Sequence, residues 1–538
     1  MTSFRQQPES CFTRLLFKLF AMIRYQLLFA CWLCFTFFLE GQTTFNRRYH
    51  FDTPATYLTS VVPTDSCYYA TGIYADTLPF LQVGSLFVKL DLEGNPVFVK
   101  KLISPEKSYE TRTNTLTALE DGTFVVTGLS FDPVMKGMLI KYNKNGDTIW
   151  TKDYLNPFFP VQEFMHPLAL ARMPDDGFVL ACWTNKSTFD PDIYLIRTDS
   201  LGNKLWSKFF GNSIWDQPGS ILTTNSGDII VGGVRTNLNS VVENYFFQCH
   251  IFQTDSLGNL QWDYLSTVSD GLRDAANDMV LLGEGNLVIA SGLGTEVVWP
   301  SVNQVYFDKM VFELSSNQQI KWERTFKEKK LSGSAVLSNV INTFDGSGFV
   351  IAGKTGEDTP GDNTFAVRGW IGKVSPEGDS LWAREYVGVE CDNPRHQILD
   401  IKETTDGGFI LCGESRNLDA TNIPQQAWLL KLDQYGCLIP GCHLTDAVDE
   451  EKAEPDFHLA IYPNPARDYL NFYLRHSGVR QEVVFRIINA AGQVVREFQG
   501  GRPGATYIVP VWDWAPGVYF LQYLEEGQVR VSEKFIKQ

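Results

Sequence analysis

The chain has 538 residues, a formal net charge of −16, 13% aromatic and 20% charged residues. That balance describes a packed protein of two or more domains and excludes a disordered chain. The acidic excess excludes nucleic acid as a partner, because phosphate binding needs clustered Lys and Arg.

Leu27 to Leu39 is an uncharged apolar run, preceded by Arg24 and followed by Glu40-Gly41-Gln42. It suits a signal-peptide core and is too short to cross a bilayer comfortably, which sets aside a membrane anchor. Residues 1–41 are therefore expected to be a cleaved leader, and a start at Met22 would give it an ordinary n-region. A lipoprotein site at Cys31 is disfavoured, because the apolar run continues past that cysteine.

Beyond the leader remain Cys67, Cys182, Cys249, Cys391, Cys412, Cys437 and Cys442, an odd number that leaves at least one unpaired. Their pairing is open except at Cys437 and Cys442, which lie close in Gly436-Cys437-Leu438-Ile439-Pro440-Gly441-Cys442. A disulfide there would pin the end of a domain in an oxidising compartment.

Residues 42–442 carry an internal repeat. Asp199-Ser200-Leu201-Gly202-Asn203-Lys204-Leu205-Trp206 returns as Asp255-Ser256-Leu257-Gly258-Asn259-Leu260-Gln261-Trp262, with weaker copies from Asp91, Asn143, Ser315, Ser375 and Asp433. A second phrase, Asp121-Gly122-Thr123-Phe124-Val125-Val126, keeps step with it. Each unit reads as four short strands with no helical periodicity. A period this long, built only of strands, predicts a seven-bladed β-propeller, because one four-stranded sheet cannot bury both faces until neighbours pack against it.

In this reading Trp150, Trp206, Trp262, Trp322 and Trp382 fall on fourth strands and pack between blades. The last unit lacks its fourth strand, and Thr44 to Tyr49 is expected to supply it. Within the turn, Asp caps with its side chain, Gly takes positive φ, and Asn tolerates the same region. Calcium is the rival reading of these turns, weakened by the single carboxylate that each carries. The repeat resembles the secreted propellers found in front of C-terminal sorting domains, and more distantly the Asp-box and quinoprotein docking turns.

Tight connections between first and second strands, and between third and fourth, emerge on one face. The longer ones, Trp183 to Asp192, Phe210 to Gly219, Leu293 to Phe307, Lys354 to Arg368 and Glu414 to Gln426, emerge on the other. Irregular loops on a rigid scaffold are where binding residues collect. Trp183, Trp215, Trp299 and Tyr306 are the candidate ligand face, with Asp190, Asp192, Asp358 and Asp362 beside them, a mixture suited to sugar rings or extended peptides. Aromatics packed under their own loops are the alternative.

Catalytic motifs mostly fail. Gly348 to Thr355 spells a phosphate-loop pattern, but Phe349 to Ala352 is the apolar strand of the sibling repeats and no helix could follow. There is no Gly-x-Ser-x-Gly elbow or His-Glu-x-x-His, and no histidine pair has metal-ligand spacing. Catalytic and metal residues are thus not assigned. Paired carboxylates for glycoside cleavage stay open, because their separation is set in space.

Residues 443–456, rich in Asp and Glu, read as an exposed acidic linker. From 457 to 538 come short alternating strands, with hairpins at Ala491-Gly492 and Glu526-Gly527, predicting a small immunoglobulin-like antiparallel sandwich. It opens with Tyr462-Pro463-Asn464-Pro465, continues through Pro516-Gly517-Val518-Tyr519 and ends near Lys534 and Lys537. This pattern resembles the C-terminal (type A) sorting domain of proteins exported by the type IX secretion system of Bacteroidetes; Gln538 after the final lysine departs slightly from it. The resemblance implies passage through the periplasm, release or attachment at the outer-membrane surface, and removal of the tail near the acidic linker by a sortase-like peptidase. It also implies O-glycosylation in Asp-Ser/Thr-aliphatic triplets, here at Thr77, Thr148, Ser200, Ser256 and Ser380, which are equally ordinary turn residues.

The sequence therefore predicts an exported, monomeric binding or adhesion module whose propeller face recognises polysaccharide or protein, with no cofactor. A polysaccharide hydrolase or lyase at the same face, and a structural surface component, are the alternatives.

Overall fold

The computed structural model describes residues 42–538 except 77–81, 105, 159–164, 188–189, 212–214, 240–243, 267–274, 299–302, 327–335, 359–364, 390–393, 418–424, 446–456, 463, 468, 477–482, 501–505 and 526–527. The expected leader and most of the acidic linker thus lie outside the described residues, as do Thr77, Trp299, Asp362, Cys391 and Pro463.

Seven first strands each open a four-stranded antiparallel unit among the described residues. They are Ala55–Pro63, Ser108–Thr111 continued by Thr117–Ala118, Met165–Arg172, Trp215–Thr223, Asp278–Leu281, Val336–Asn342 and Pro394–Glu403. Second strands such as Phe124–Phe131 are apolar without alternation because both faces are covered. Phe124 and Val126 pack with the unit before, Val125 with the unit after. Every unit shares its cores with its two neighbours in this way, and Leu58 and Val61 of the first unit share one with Ile410 and Leu429 of the last. The result is a closed propeller ring.

The N-terminal strand Phe45–Tyr49 closes that ring as expected, running antiparallel to Gln426–Leu432 with Phe45 opposite Lys431. Trp428 donates its indole N–H to Asn46 Oδ1 at 2.7 Å across the junction.

The repeated turn does more than reverse the chain. Asp199 Oδ1 accepts the Leu201 and Asn203 amides at 2.9 and 2.8 Å, and Asn203 Nδ2 returns a bond to Asp199 Oδ2 at 2.9 Å. Only Gly202 has positive φ in this turn, so Asn203 is there for its hydrogen bond and not for a left-handed backbone, which corrects the sequence reading. The glycine also seats the aromatic of the preceding unit. A Cβ on Gly258 would lie 2.9 Å from Trp206, and one on Gly436 2.7 Å from Trp382. At Gly94 the seated ring is Phe45, so the closing strand repeats the fastening used around the ring.

Cys437 and Cys442 form a disulfide at the end of the last unit, followed by a short helical turn, Cys442–Thr445. His443 to Thr445, expected as the start of the linker, lie in that turn. Cys67, Cys182, Cys249 and Cys412 are buried thiols. The phosphate-loop lookalike is strand Phe349–Asp358, paired on both sides.

The C-terminal domain packs a three-stranded sheet, Phe457–Tyr462, Tyr469–His476 and Thr506–Pro510, against a four-stranded one ending in Gly517–Glu525 and Gln528–Lys537. Leu470, Phe472, Phe485, Ile487, Leu521, Tyr523 and Phe535 fill its core, each contributing about 1.5–3 kcal/mol on burial. Asn464 Nδ2 donates to the Lys534 carbonyl at 3.1 Å, and the Ala466 amide donates to the Ile536 carbonyl at 2.7 Å. Asn464 and Ala466 thereby cover the outer edge of the last strand, where unpaired backbone would invite aggregation.

Candidate functional site

On the face opposite the tight turns the strands run further than the sequence suggests. Leu293 to Phe307, expected as a loop, is mostly the ladder of Leu287–Val298 with Asn303–Leu314, and Trp183 lies inside strand Phe178–Ser187. Backbone pairing simply continues, so the candidate residues stand on strand ends. Tyr306 is one such ladder residue, opposite Thr295.

Trp183 and Trp215 come together, with ring centroids 5.9 Å apart at 48°. Trp215 begins the fourth unit's first strand, and Trp183 belongs to the third unit's second strand, opposite His166. The His166 ring meets Trp183 edge-on at 6.0 Å. Arg112 Nη2 then donates to His166 Nδ1 at 3.0 Å. Arg112 comes from the segment that splits the second unit's first strand. These four side chains are half-buried and form one continuous row.

Burial, reinforced by Arg112, pushes the His166 imidazole down to about 4, so the ring is neutral at pH 7. Its Nδ1 accepts from Arg112, which places the ring proton on Nε2. Burial also lowers the Arg112 guanidinium, against the attraction of Glu110 and Tyr57. Those two act on it at a distance, and its Nε has no hydrogen-bond partner among the described residues.

Asp192 and Asp216, the latter next to Trp215 in sequence, are both fully buried. They crowd Gly211, where a Cβ would lie 2.1 Å from Asp192 Oδ1 and 2.7 Å from Asp216 Oδ2. Arg235 Nε lies 3.4 Å from Asp216 and its Nη1 lies 3.6 Å from Asp263. Asp216 and Arg235 face each other across paired strands, so this acid–base set anchors the strand that carries Trp215. Of the other sequence candidates, Asp190 starts a strand and Asp358 ends one.

Nearer the axis, Asn114 joins units that are not neighbours. Its Nδ2 donates to Asp278 of the fifth unit at 3.2 Å, and its Oδ1 accepts from Lys402 of the seventh at 2.8 Å. First strands must converge on the axis for these bonds to form. Asp278 also accepts from Ser220 and from the amides of Met279 and Val340, yet burial still raises its carboxyl to about 6. Asp400 accepts from Lys402 and the Val61 amide, so the same polar ring ties the last unit to the first.

Arg112, His166 and this axial set are absent from the sequence-level candidates. A signal was available for Asp278, the single charge opening the apolar strand Asp278–Leu281, but not for Asp400, whose strand also carries Arg395, Lys402 and Glu403. Among the described residues, Asp433, Cys437 and His443 lie close enough to share a metal, but the Cys437 sulfur is committed to its disulfide.

Comparison with protein families matches residues 460–538 to the secretion system C-terminal sorting domain. These residues are a type IX sorting domain, and the protein is exported, either secreted or attached to the outer-membrane surface. No curated protein matches the chain. Among solved structures, a protein of unknown function from Dyadobacter fermentans is 8% identical, covering 61% of this chain and 99% of its own, with a TM-score of 0.40. A family PL25 ulvan lyase bound to -[GlcA(1-4)Rha3S]- is 10% identical, covering 73% and 97%, with a TM-score of 0.45. The GH93 α-L-arabinofuranosidase of Fusarium graminearum, in complex with arabinobiose, is 12% identical, covering 59% and 92%, with a TM-score of 0.38.

Proposed function

We propose that residues 42–442 act as one seven-bladed binding module, and that its strand-end face holds a saccharide chain on Trp183 and Trp215. The observation that carries this reading is the pair itself. Two half-buried indoles at 5.9 Å, fixed by paired strands, offer apolar faces beside polar donors. Such surfaces bind amphipathic rings at little entropic cost, because the side chains are already held.

The sorting domain brings the module to its ligand through the secretion machinery, and the acidic linker is where the tail would be cut. Incubating the protein without its leader, residues 42–538, with soluble and insoluble polysaccharides tests the reading. Depletion without new reducing ends is expected. Release of product would instead make the protein a hydrolase or lyase, and neither result would leave a surface-structural role.

A further inference from the structure

We infer that the saccharide is acidic, and that Arg112 reads its carboxylate or sulfate group beside the tryptophan pair. This rests on the binding role proposed above and narrows its ligand.

Other guanidiniums in the ring show what a structural arginine looks like here. Arg197 is held by both oxygens of Asp175, Arg172 by Asp176 and Glu120, and Arg235 by Asp216 and Asp263. Arg112 is half-buried like Arg172 and Arg235, yet its hydrogen-bonding side-chain neighbour is a neutral imidazole. A sheltered guanidinium without a carboxylate against it is costly, and a bound anion would offset that cost through charge-assisted bonds. Its position fits the purpose, since His166 links it directly to Trp183. Glu110 attracts it without a hydrogen bond, and no carboxylate among the described residues forms an ion pair with it.

The test uses residues 42–538 in affinity electrophoresis against polygalacturonate, the same polymer fully methyl-esterified, and carrageenan. Polygalacturonate reads carboxylate recognition, carrageenan reads sulfate, and the ester is the neutral control. At least one acidic polymer should bind tenfold or more tighter than the ester and weaken as salt rises. Arg112→Gln should bring acidic binding down to the neutral level, with Arg112→Lys recovering part of it. Trp183→Ala should weaken binding to acidic and neutral polymers alike. Equal binding of ester and acid, without salt dependence in the unmodified protein, overturns the inference and leaves the saccharide role standing, whether or not Arg112→Gln folds. No binding to any of the three overturns both.

Discussion

Asn464 accepts the amide hydrogen of Ile536 on its side-chain oxygen at 2.9 Å, so the opening of the sorting domain holds its last strand directly. The motif positions at the two ends of this domain are parts of one hydrogen-bonded unit, seventy-two residues apart in sequence.

Replacing Asn464 with Ala removes the bonds to Ile536 and Lys534 together. The sorting domain should lose about 1–3 kcal/mol. Amide exchange at Ile536 should accelerate and export should fall. Unchanged exchange at that amide would show that the clamp is not what secures the strand.

Gly258→Ala meets two obstacles, a positive φ of 74° and Trp206 at 2.9 Å. A loss of about 1–3 kcal/mol is expected in chemical denaturation. Gly283→Ala, where nothing lies within 4 Å, is the control and should be nearly silent. Equal effects would refute the seating of the aromatic as the reason for glycine.

Removing residues 43–50 takes away the closing strand, its pairing with Gln426–Leu432 and the Phe45 contact at Gly94. Melting temperature should fall sharply. A melt like that of the intact chain would sink closure by this strand.

Acid should weaken the ring through its buried histidines. Burial, helped by Arg235, pushes His250 down to about 3, and burial holds His396 at about 4. Unfolded histidine titrates near 6.5, so below that pH the unfolded chain binds more protons. The stability His250 contributes is complete above pH 6.5 and declines as pH falls toward 3. Asp278, raised to about 6, works in the opposite direction over part of this range. The informative comparison is therefore with His250→Gln, whose stability should fall less steeply between pH 6 and 4, by about 1.4 kcal/mol per pH unit. Parallel slopes would mean that His250 is charged in the folded protein.

Ser200 and Ser256 stand in turns whose next residues, Leu201 and Leu257, are 61% and 65% exposed. Exposed aliphatics after a hydroxyl suit recognition by a glycosylating enzyme, and native protein should exceed its polypeptide mass. Mass equal to the bare chain would remove the idea, for Thr148 and Ser380 as well.

What the sequence reveals follows from how local each interaction is. The Asp199 turn is written within five residues, so it repeats visibly, and the closing strand shows as a missing copy at one end and a spare at the other. The sheet ladder beyond Leu293 is not visible that way, because polar strand ends look like loops until their partners are known. Trp183 and Trp215 stand out by residue type alone. Arg112 and His166 do not, since nothing nearby marks a lone arginine whose significance depends on which neighbours it lacks.

Asn46 and Trp428 meet across a sequence separation of 382 residues. Contacts of such range form late, because the entropy of closing so large a loop must be overcome first. Synthesis imposes an order on top of this. The opening strand waits for its partner until nearly the whole ring has been made, and the export signal at 460–538 is made later still. Any molecule that can present the signal therefore already possesses every strand needed to complete itself, and a prematurely ended chain carries no ticket out of the cell.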